Sequence, residues 1–193
     1  MEVIIVSMSS ENTHNRILGI VGSPRRGGNT EILVDEVLAG AEEAGALTEK
    51  VILNELDISP CQACNACSKT GTCVQQDDMI TLLEQMESSQ VWVLGTPIYW
   101  WGPTAQFKTF IDRWYSVKRA TFREKRVILV IPLGGGASLA RHTTGMLTDI
   151  LNYLGIELVA TVLAPGASRK GTVQTHTDVL AAARRAGKKA VEI

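Results

Sequence analysis

Histidine is scarce in this chain: 193 residues carry three, at His14, His142 and His176. Their wide separation gives no sign of a Ser-His-Asp or Cys-His nucleophile, and each reads as a surface or packing residue. His142 alone, which follows a run of glycines, is kept as a crevice candidate. No charge of one sign dominates, because 19 basic side chains face 20 acidic ones for a net charge of −1. A nucleic-acid partner is therefore not expected, and Arg184, Arg185, Lys188 and Lys189 read as a solvated helix face. No apolar run approaches the roughly 20 residues of a membrane span. The opening Met-Glu-Val-Ile-Ile-Val-Ser-Met lacks the basic start and longer apolar core of a secretion signal. A cytoplasmic protein without a membrane partner is expected. Residues 1–15 precede the first clear strand and read as an extra β-segment or a loose arm, with Met8 as an alternative start.

Cysteine is missing everywhere except between Pro60 and Asp78, where Cys61, Cys64, Cys67 and Cys73 form the pattern Cys-x2-Cys-x2-Cys-x5-Cys. Two-residue gaps let successive thiolates curl round one small inorganic centre, as in the iron–sulfur runs of ferredoxins. Gly71 gives the return path a flexible point, and Cys73 completes a four-thiolate set. An iron–sulfur centre is the favoured reading. Three others stand beside it: zinc, disulfides, and a loop that merely retains its cysteines. Four-thiolate zinc sites usually come as two separated pairs, and disulfides are rare in a cytosolic chain.

What the chain has in quantity is the alternation of a parallel α/β fold. An apolar content of 45% and a charged content of 20% suit one domain, residues 1–193, with the cysteine-rich loop 60–78 inserted after the second strand. Strands are expected at Ile17–Val21, Lys50–Leu56, Gln90–Leu94, Arg126–Ile131 and Glu157–Leu163. Helices are expected between them on the apolar spacings Leu33 or Val34 with Val37-Leu38-Ala41, Met79-Leu82-Leu83-Met86, Phe107-Phe110-Ile111-Trp114 and Leu147-Ile150-Leu151-Leu154. Gly45 and Gly155 are their stops, and Asp77 and Asp78 suit a helix start. A last helix is expected from about Thr175 to Lys189, weakened at Gly187. The alternation predicts a three-layer α/β/α fold with a doubly wound five-stranded parallel sheet, and the strand order 2-1-3-4-5, a common one for such sheets, is expected for it. Ligands of such sheets sit beyond the strands' carboxyl ends, where strand order reverses between strands 1 and 3. The Gly/Pro-rich segments after strands 1, 3 and 4 converge there, and the cysteine loop is expected close by.

Gly22 to Thr30 has the make-up of an anion cradle. Ser23, Asn29 and Thr30 offer side-chain donors, Gly27 and Gly28 offer bare backbone N–H groups, Arg25 and Arg26 add charge, and a helix begins there. The Walker pattern and Gly-x-Gly-x-x-Gly are both absent, which argues against a nucleoside triphosphatase or a standard dinucleotide fold. After strand 3, Pro97 restricts the backbone, and Ile98, Tyr99, Trp100 and Trp101 form an apolar, aromatic rim suited to a flat heterocycle. Core packing or a subunit contact is the other use for the tryptophans. Gly134, Gly135 and Gly136 leave backbone on which a ring can lie, although plain loop flexibility would need them too.

Three segments together resemble the NAD(P)H-dependent FMN reductase branch of the flavodoxin-like superfamily: Gly22-Ser23-Pro24-Arg25 with Gly28-Asn29-Thr30, then Pro97-Ile98-Tyr99, and Lys108-x-Phe110-x-Asp112-Arg113. The cysteine run resembles the iron–sulfur flavoprotein subgroup in particular. The resemblance implies a flavodoxin-like fold with one FMN per chain. Its phosphate would be held by Ser23, Arg25, Gly28, Asn29 and Thr30, and its ring contacted by Pro97, Ile98, Tyr99 and Trp100 and closed over by Gly134, Gly135 and Gly136. It implies that Cys61, Cys64, Cys67 and Cys73 carry a 4Fe-4S cluster, which passes electrons to a flavin of the same or a neighbouring subunit. A homodimer or homotetramer and NAD(P)H or ferredoxin as electron donor follow from the same likeness. Lys108, Asp112 and Arg113 are expected to shape a helix and an interface rather than take part in chemistry.

The chain is thus expected to be a flavin-dependent oxidoreductase with no protein-borne catalytic group. A cluster-free NAD(P)H-dependent FMN or quinone reductase is the alternative. A flavodoxin-like electron carrier and a zinc-stapled binding module are the non-enzymatic ones.

Overall fold

The computed structural model describes residues 15–192. The reading of residues 1–15 therefore falls outside it, apart from Asn15, and so does that of His14. Five strands pair in parallel in the order β2-β1-β3-β4-β5. They are β1 (Arg16–Val21), β2 (Leu47–Ile52), β3 (Val91–Gly95), β4 (Arg126–Pro132) and β5 (Glu157–Ala164). The helices are α1 (Asn29–Glu43), α2 (Ala66–Thr70), α3 (Met79–Ser88), α4 (Ala105–Asp112), α5 (Arg141–Leu154) and α6 (Thr177–Glu192). The second strand lies three residues earlier than expected. Leu53–Glu55 forms a 3-10 turn instead, and the strand stops at Ile52, where its pairing partner Val21 ends β1. Among the described residues, no helix is long and apolar enough to cross a membrane.

Alternate strand residues face opposite sides, and both sides are apolar, as a parallel sheet requires. Ile17, Val21, Val91, Val93, Ile128 and Val130 pack with α1 and α6. Leu18, Ile20, Trp92, Leu94, Leu129 and Ile131 pack on the other side with α3, α4 and α5. The spacing that suggested one helix through Trp114 is split, since α4 ends at Asp112 and Arg113–Ser116 tightens into a 3-10 turn. Trp114 still reaches the core, 5.3 Å from Phe110 between ring centroids.

Gly187 does not weaken the last helix. It is buried in α6, where a Cβ would stand 1.9 Å from the Val37 carbonyl oxygen of α1. Gly40 is its counterpart, with a Cβ position 2.0 Å from the Arg184 carbonyl oxygen. The two glycines let the helix backbones touch, and Arg184 then reaches Glu36 and Glu43 across the seam. Alanine would gain about 1 kcal/mol in helix propensity but meet rigid backbone, and overpacking costs about 1–3 kcal/mol or more. Gly187→Ala is expected to lower the denaturation midpoint by the equivalent of at least about 1 kcal/mol. A higher midpoint in urea would show that the helices can part freely.

Candidate functional site

The carboxyl end of β1 is fixed before the site begins. Gly22 N–H donates to the Gly95 carbonyl at 2.7 Å, and its own carbonyl accepts from the Thr104 hydroxyl, the N-cap of α4. A side chain at Gly22 would strike Phe107, 2.6 Å from the Cβ position. The chain then turns through Ser23–Gly28 into α1. Ser23 Oγ accepts from the Arg25 N–H at 3.2 Å, and the Gly28 N–H donates to the Arg25 carbonyl at 3.0 Å. Glu31, buried in the first turn of α1, accepts from the Gly27 N–H at 2.6 Å and from Lys50 at 3.0 Å. Burial alone would raise the Glu31 pKa, but the Gly27 N–H, Lys50 and Arg26 together hold it below the usual glutamate value.

Loops from four strands meet beside that turn. Ser23, Arg25, Asn29, Thr30, Pro97, Ile98, Tyr99 and Gly134 line one crevice of about 220 Å³ with Pro132, Leu133, Ala167 and Ser168. A second concavity of about 220 Å³ adjoins it through Ile98, Leu133 and Gly134, and it holds Trp100, Trp101, Gly135 and Leu139. Gly28 and Gly136 line neither. Gly28 is the N-cap of α1, and Gly136 starts the 3-10 turn Ala137–Ala140. The Asn29 amide is committed elsewhere: it donates to the Ala167 and Arg169 carbonyls, both at 2.8 Å, and accepts from the Val173 N–H. It ties down the loop after β5, so only its backbone N–H remains for an anion. Arg26 turns away to Glu31 and Glu55. His142 is exposed on α5 and lines neither concavity.

Ala167 and Ser168 were missed, although Pro165-Gly166 marks a loop on the same sheet edge. The rim is strained: Tyr99 and Gly102 close a tight turn with reciprocal backbone bonds of 2.8 and 3.0 Å, so Trp100 and Trp101 take φ of +50° and +63°. Such conformations cost about 1–3 kcal/mol each for residues other than glycine. Trp100 is 92% exposed.

The cysteines are elsewhere. Cys61, Cys64, Cys67 and Cys73 all line one concavity of about 410 Å³ with Asp112, Arg113, Tyr115 and Ser116 at the far end of α4. None is in a disulfide. Eight residues of α-helix span about 12 Å, and α4 runs between this pocket and the crevice, two concavities with no lining residue in common. Left-handed backbone at Ala63 and Asn65, on either side of Cys64, bends the loop round the pocket. Arg113, 1% exposed, donates to the Ser59 carbonyl at 2.9 Å, to both carboxylate oxygens of Asp77, and to Cys73 Sγ at 3.4 Å. Burial alone would raise the Asp77 pKa; Arg113 and the Ser59 N–H hold it below its usual value. Arg113 thus has a defined task at the cysteine loop, signalled in sequence by an arginine set among Phe110, Ile111 and Trp114. Among the described residues, no three His, Cys, Asp or Glu side chains are gathered tightly enough to hold a single metal ion.

A doubly wound parallel sheet that gathers an anion cradle, an apolar rim and a side-chain-free floor at its switch point is the frame of a flavodoxin-like flavoprotein oxidoreductase. The chain belongs to the NADPH-dependent FMN reductase family, whose sequence profile matches residues 15–169. It is 30% identical over 193 residues to an iron-sulfur flavoprotein of Methanocaldococcus jannaschii, covering 92% of this chain and 96% of that one. With an iron-sulfur flavoprotein of Methanosarcina thermophila it shares 33% identity over 130 residues, 67% of this chain and 68% of the other. An NAD(P)H:quinone oxidoreductase from Methanothermobacter marburgensis has the same fold, with a TM-score of 0.75 over 92% of this chain and 99% of that one at 19% identity.

Because its folded-state pKa is depressed, Glu31 contributes stability above its unfolded pKa of about 4.3. That contribution is lost as pH falls through the lower folded value. Glu31→Gln is expected to lose about 1–3 kcal/mol at pH 7 and to show a flatter decline below about pH 5. Thermal denaturation across pH 3–7 reads both; equal acid slopes in the two proteins would remove Glu31 from the turn's support.

Proposed function

We propose that this protein draws electrons from NAD(P)H or ferredoxin and relays them between FMN in the switch-point crevice and a 4Fe-4S cluster on Cys61, Cys64, Cys67 and Cys73. The observation that carries this reading is that all four thiols of the chain open on one concavity, set apart from a crevice built like a flavin site. When bound, FMN supplies exchange between two-electron and one-electron steps and the cluster supplies one-electron relay.

The chain's own residues divide the work. Ser23, Arg25, Thr30 and the first backbone N–H groups of α1, from Gly28 and Asn29 onward, would hold the phosphate. Pro97, Ile98, Tyr99 and Trp100 would border the ring, and Gly134 and Gly135 would leave it a bare floor. Gly136 would set the turn behind them. In the cysteine pocket the type of donor supports a cluster: four free thiols line it, and its only carboxylate, Asp112, is paired with Lys108. The Arg113 Nε–H near them is buried and has no partner. Exposed Trp100, Tyr115 and Tyr153 support burial against further copies in a dimer or tetramer. Free thiols suit the reducing cytoplasm. A cluster-free FMN or quinone reductase is the second reading, favoured by the wide spacing of the thiols.

Protein purified without oxygen is expected to show flavin bands over a broad absorption that dithionite bleaches, with about four irons and four sulfides per chain. A plain flavin spectrum without iron after reconstitution would leave the second reading. Arg25→Ala is expected to weaken FMN binding about tenfold or more, read by flavin fluorescence titration, whereas unchanged affinity would move the phosphate out of the cradle. Cys61→Ser is expected to keep its FMN, and flavin loss there would contradict two separate sites.

A further inference from the structure

Arg113 does something neither site reading requires. The cysteine loop leaves the body of the protein at Ser59 and returns at Asp77, and Arg113, from the turn after α4, bonds both ends. Asp77 completes the neck by accepting from the Ser59 and Met79 N–H groups at 3.1 and 3.2 Å. A second rung lies outside it, where the Asp57 N–H donates to Asp78 Oδ2 at 2.8 Å and the Asp78 N–H to the Asp57 carbonyl at 3.1 Å. The same guanidinium extends one more donor to Cys73 Sγ at 3.4 Å. Cys73 is the cysteine farthest in sequence from the other three and the one reached by the five-residue gap.

The first three cysteines are turned toward the pocket by local backbone. Ala63 and Asn65 are left-handed, α2 begins at Ala66, and the Cys67 thiol points to the Tyr115 carbonyl at 3.7 Å. Cys73 lies beyond the left-handed Gly71 that ends α2. Its nearest backbone device is that Gly71, two residues before it, and its direct side-chain contact is the arginine.

We propose that Arg113 is the positioning residue of the cysteine pocket: its planar fork locks the loop's neck to Asp77 and Ser59 and presents the Cys73 sulfur as the fourth ligand. This rests on the reading of the pocket as a metal centre. A guanidinium suits the task because it offers several donors in one fixed plane, which a lysine ammonium cannot reproduce. Partners that orient a metal ligand typically contribute roughly 10–100-fold in affinity.

The test uses anaerobic titration of the full chain with Co(II), whose sulfur-to-cobalt absorption reports bound thiolates. Arg113→Lys is compared with wild type, with Cys73→Ser and with the Arg113→Lys/Cys73→Ser pair. Should Arg113→Lys fold poorly, Arg113→Met with Asp77→Asn removes the fork without leaving a buried charge unpaired. Expected are a roughly 10–100-fold loss of Co(II) affinity, a spectrum matching that of Cys73→Ser, and no further loss in the paired variant, because both changes remove one interaction. FMN content should match wild type. A merely structural role would instead make the two losses additive and weaken all thiolate bands alike, and that result would overturn the proposal. Equal affinities in wild type and Arg113→Lys would overturn it as well, while leaving the metal centre intact. A wild-type chain that takes up neither Co(II) nor iron with sulfide would overturn the metal-centre reading and this proposal together.

Discussion

The peptide of Gly22 is held from three sides, and both candidate sites take their positions from it. Its N–H bonds to β3, its carbonyl bonds to the cap of α4, and the space where a Cβ would stand is filled by Phe107. One residue without a side chain therefore sets the end of β1, the spacing to β3 and the start of α4. The anion-cradle turn leaves from this point, and the aromatic rim leaves from the strand it is bonded to. A larger residue would push α4 away, because its obstacle is a ring buried in the core rather than a flexible surface chain.

From that anchor α4 runs as a strut. Thr104 caps it at the crevice, with the Thr104 N–H also bonded to Thr96 Oγ at 3.1 Å, and Arg113 ends it at the cysteine loop. Phe107, Phe110 and Ile111 bury its length in the core. With both ends bonded and the middle packed, the helix, about 12 Å long, is held in place between the two sites of one chain. Neither site can approach the other without breaking the core, so each is shaped independently.

The fold was legible because its signals are local and redundant. Apolar strand runs, helical spacings and Gly/Pro punctuation each pointed to the same parallel sheet, while its order came from the likeness to flavodoxin-like sheets rather than from the alternation itself. The crevice was legible for the same reason, since glycine, proline and helix starts gather on one sheet edge. What escaped were features set by contacts between distant segments. Asn29 has the composition of an anion ligand, yet its amide is claimed by a loop some 140 residues away. Gly187 looked like a helix fault because its partner, Gly40, lies on another helix. Where the cysteine loop folds back is decided by Arg113, whose neighbours in sequence say only that it starts among core residues.

The cysteine loop poses an energetic problem that the rest of the fold does not. None of residues 61–78 is buried, so the hydrophobic term that orders the core contributes little here. Fixing a residue's backbone costs about 1–2 kcal/mol, and a neck of polar bonds contributes about 0.5–3 kcal/mol for each. The clasp at Arg113 can hold the ends of such a loop but not its whole length. Thiolate–metal bonds, were a centre bound, would act on the remaining part, with apparent binding free energies of about 10–16 kcal/mol for structural zinc sites, the scale needed to order a loop of this size. A centre bound there would thus be part of the fold as well as of the chemistry. Its binding would order the three stretches of loop backbone between the four cysteines, while the crevice, resting on the buried ends of β1, β3 and β4, needs no such help.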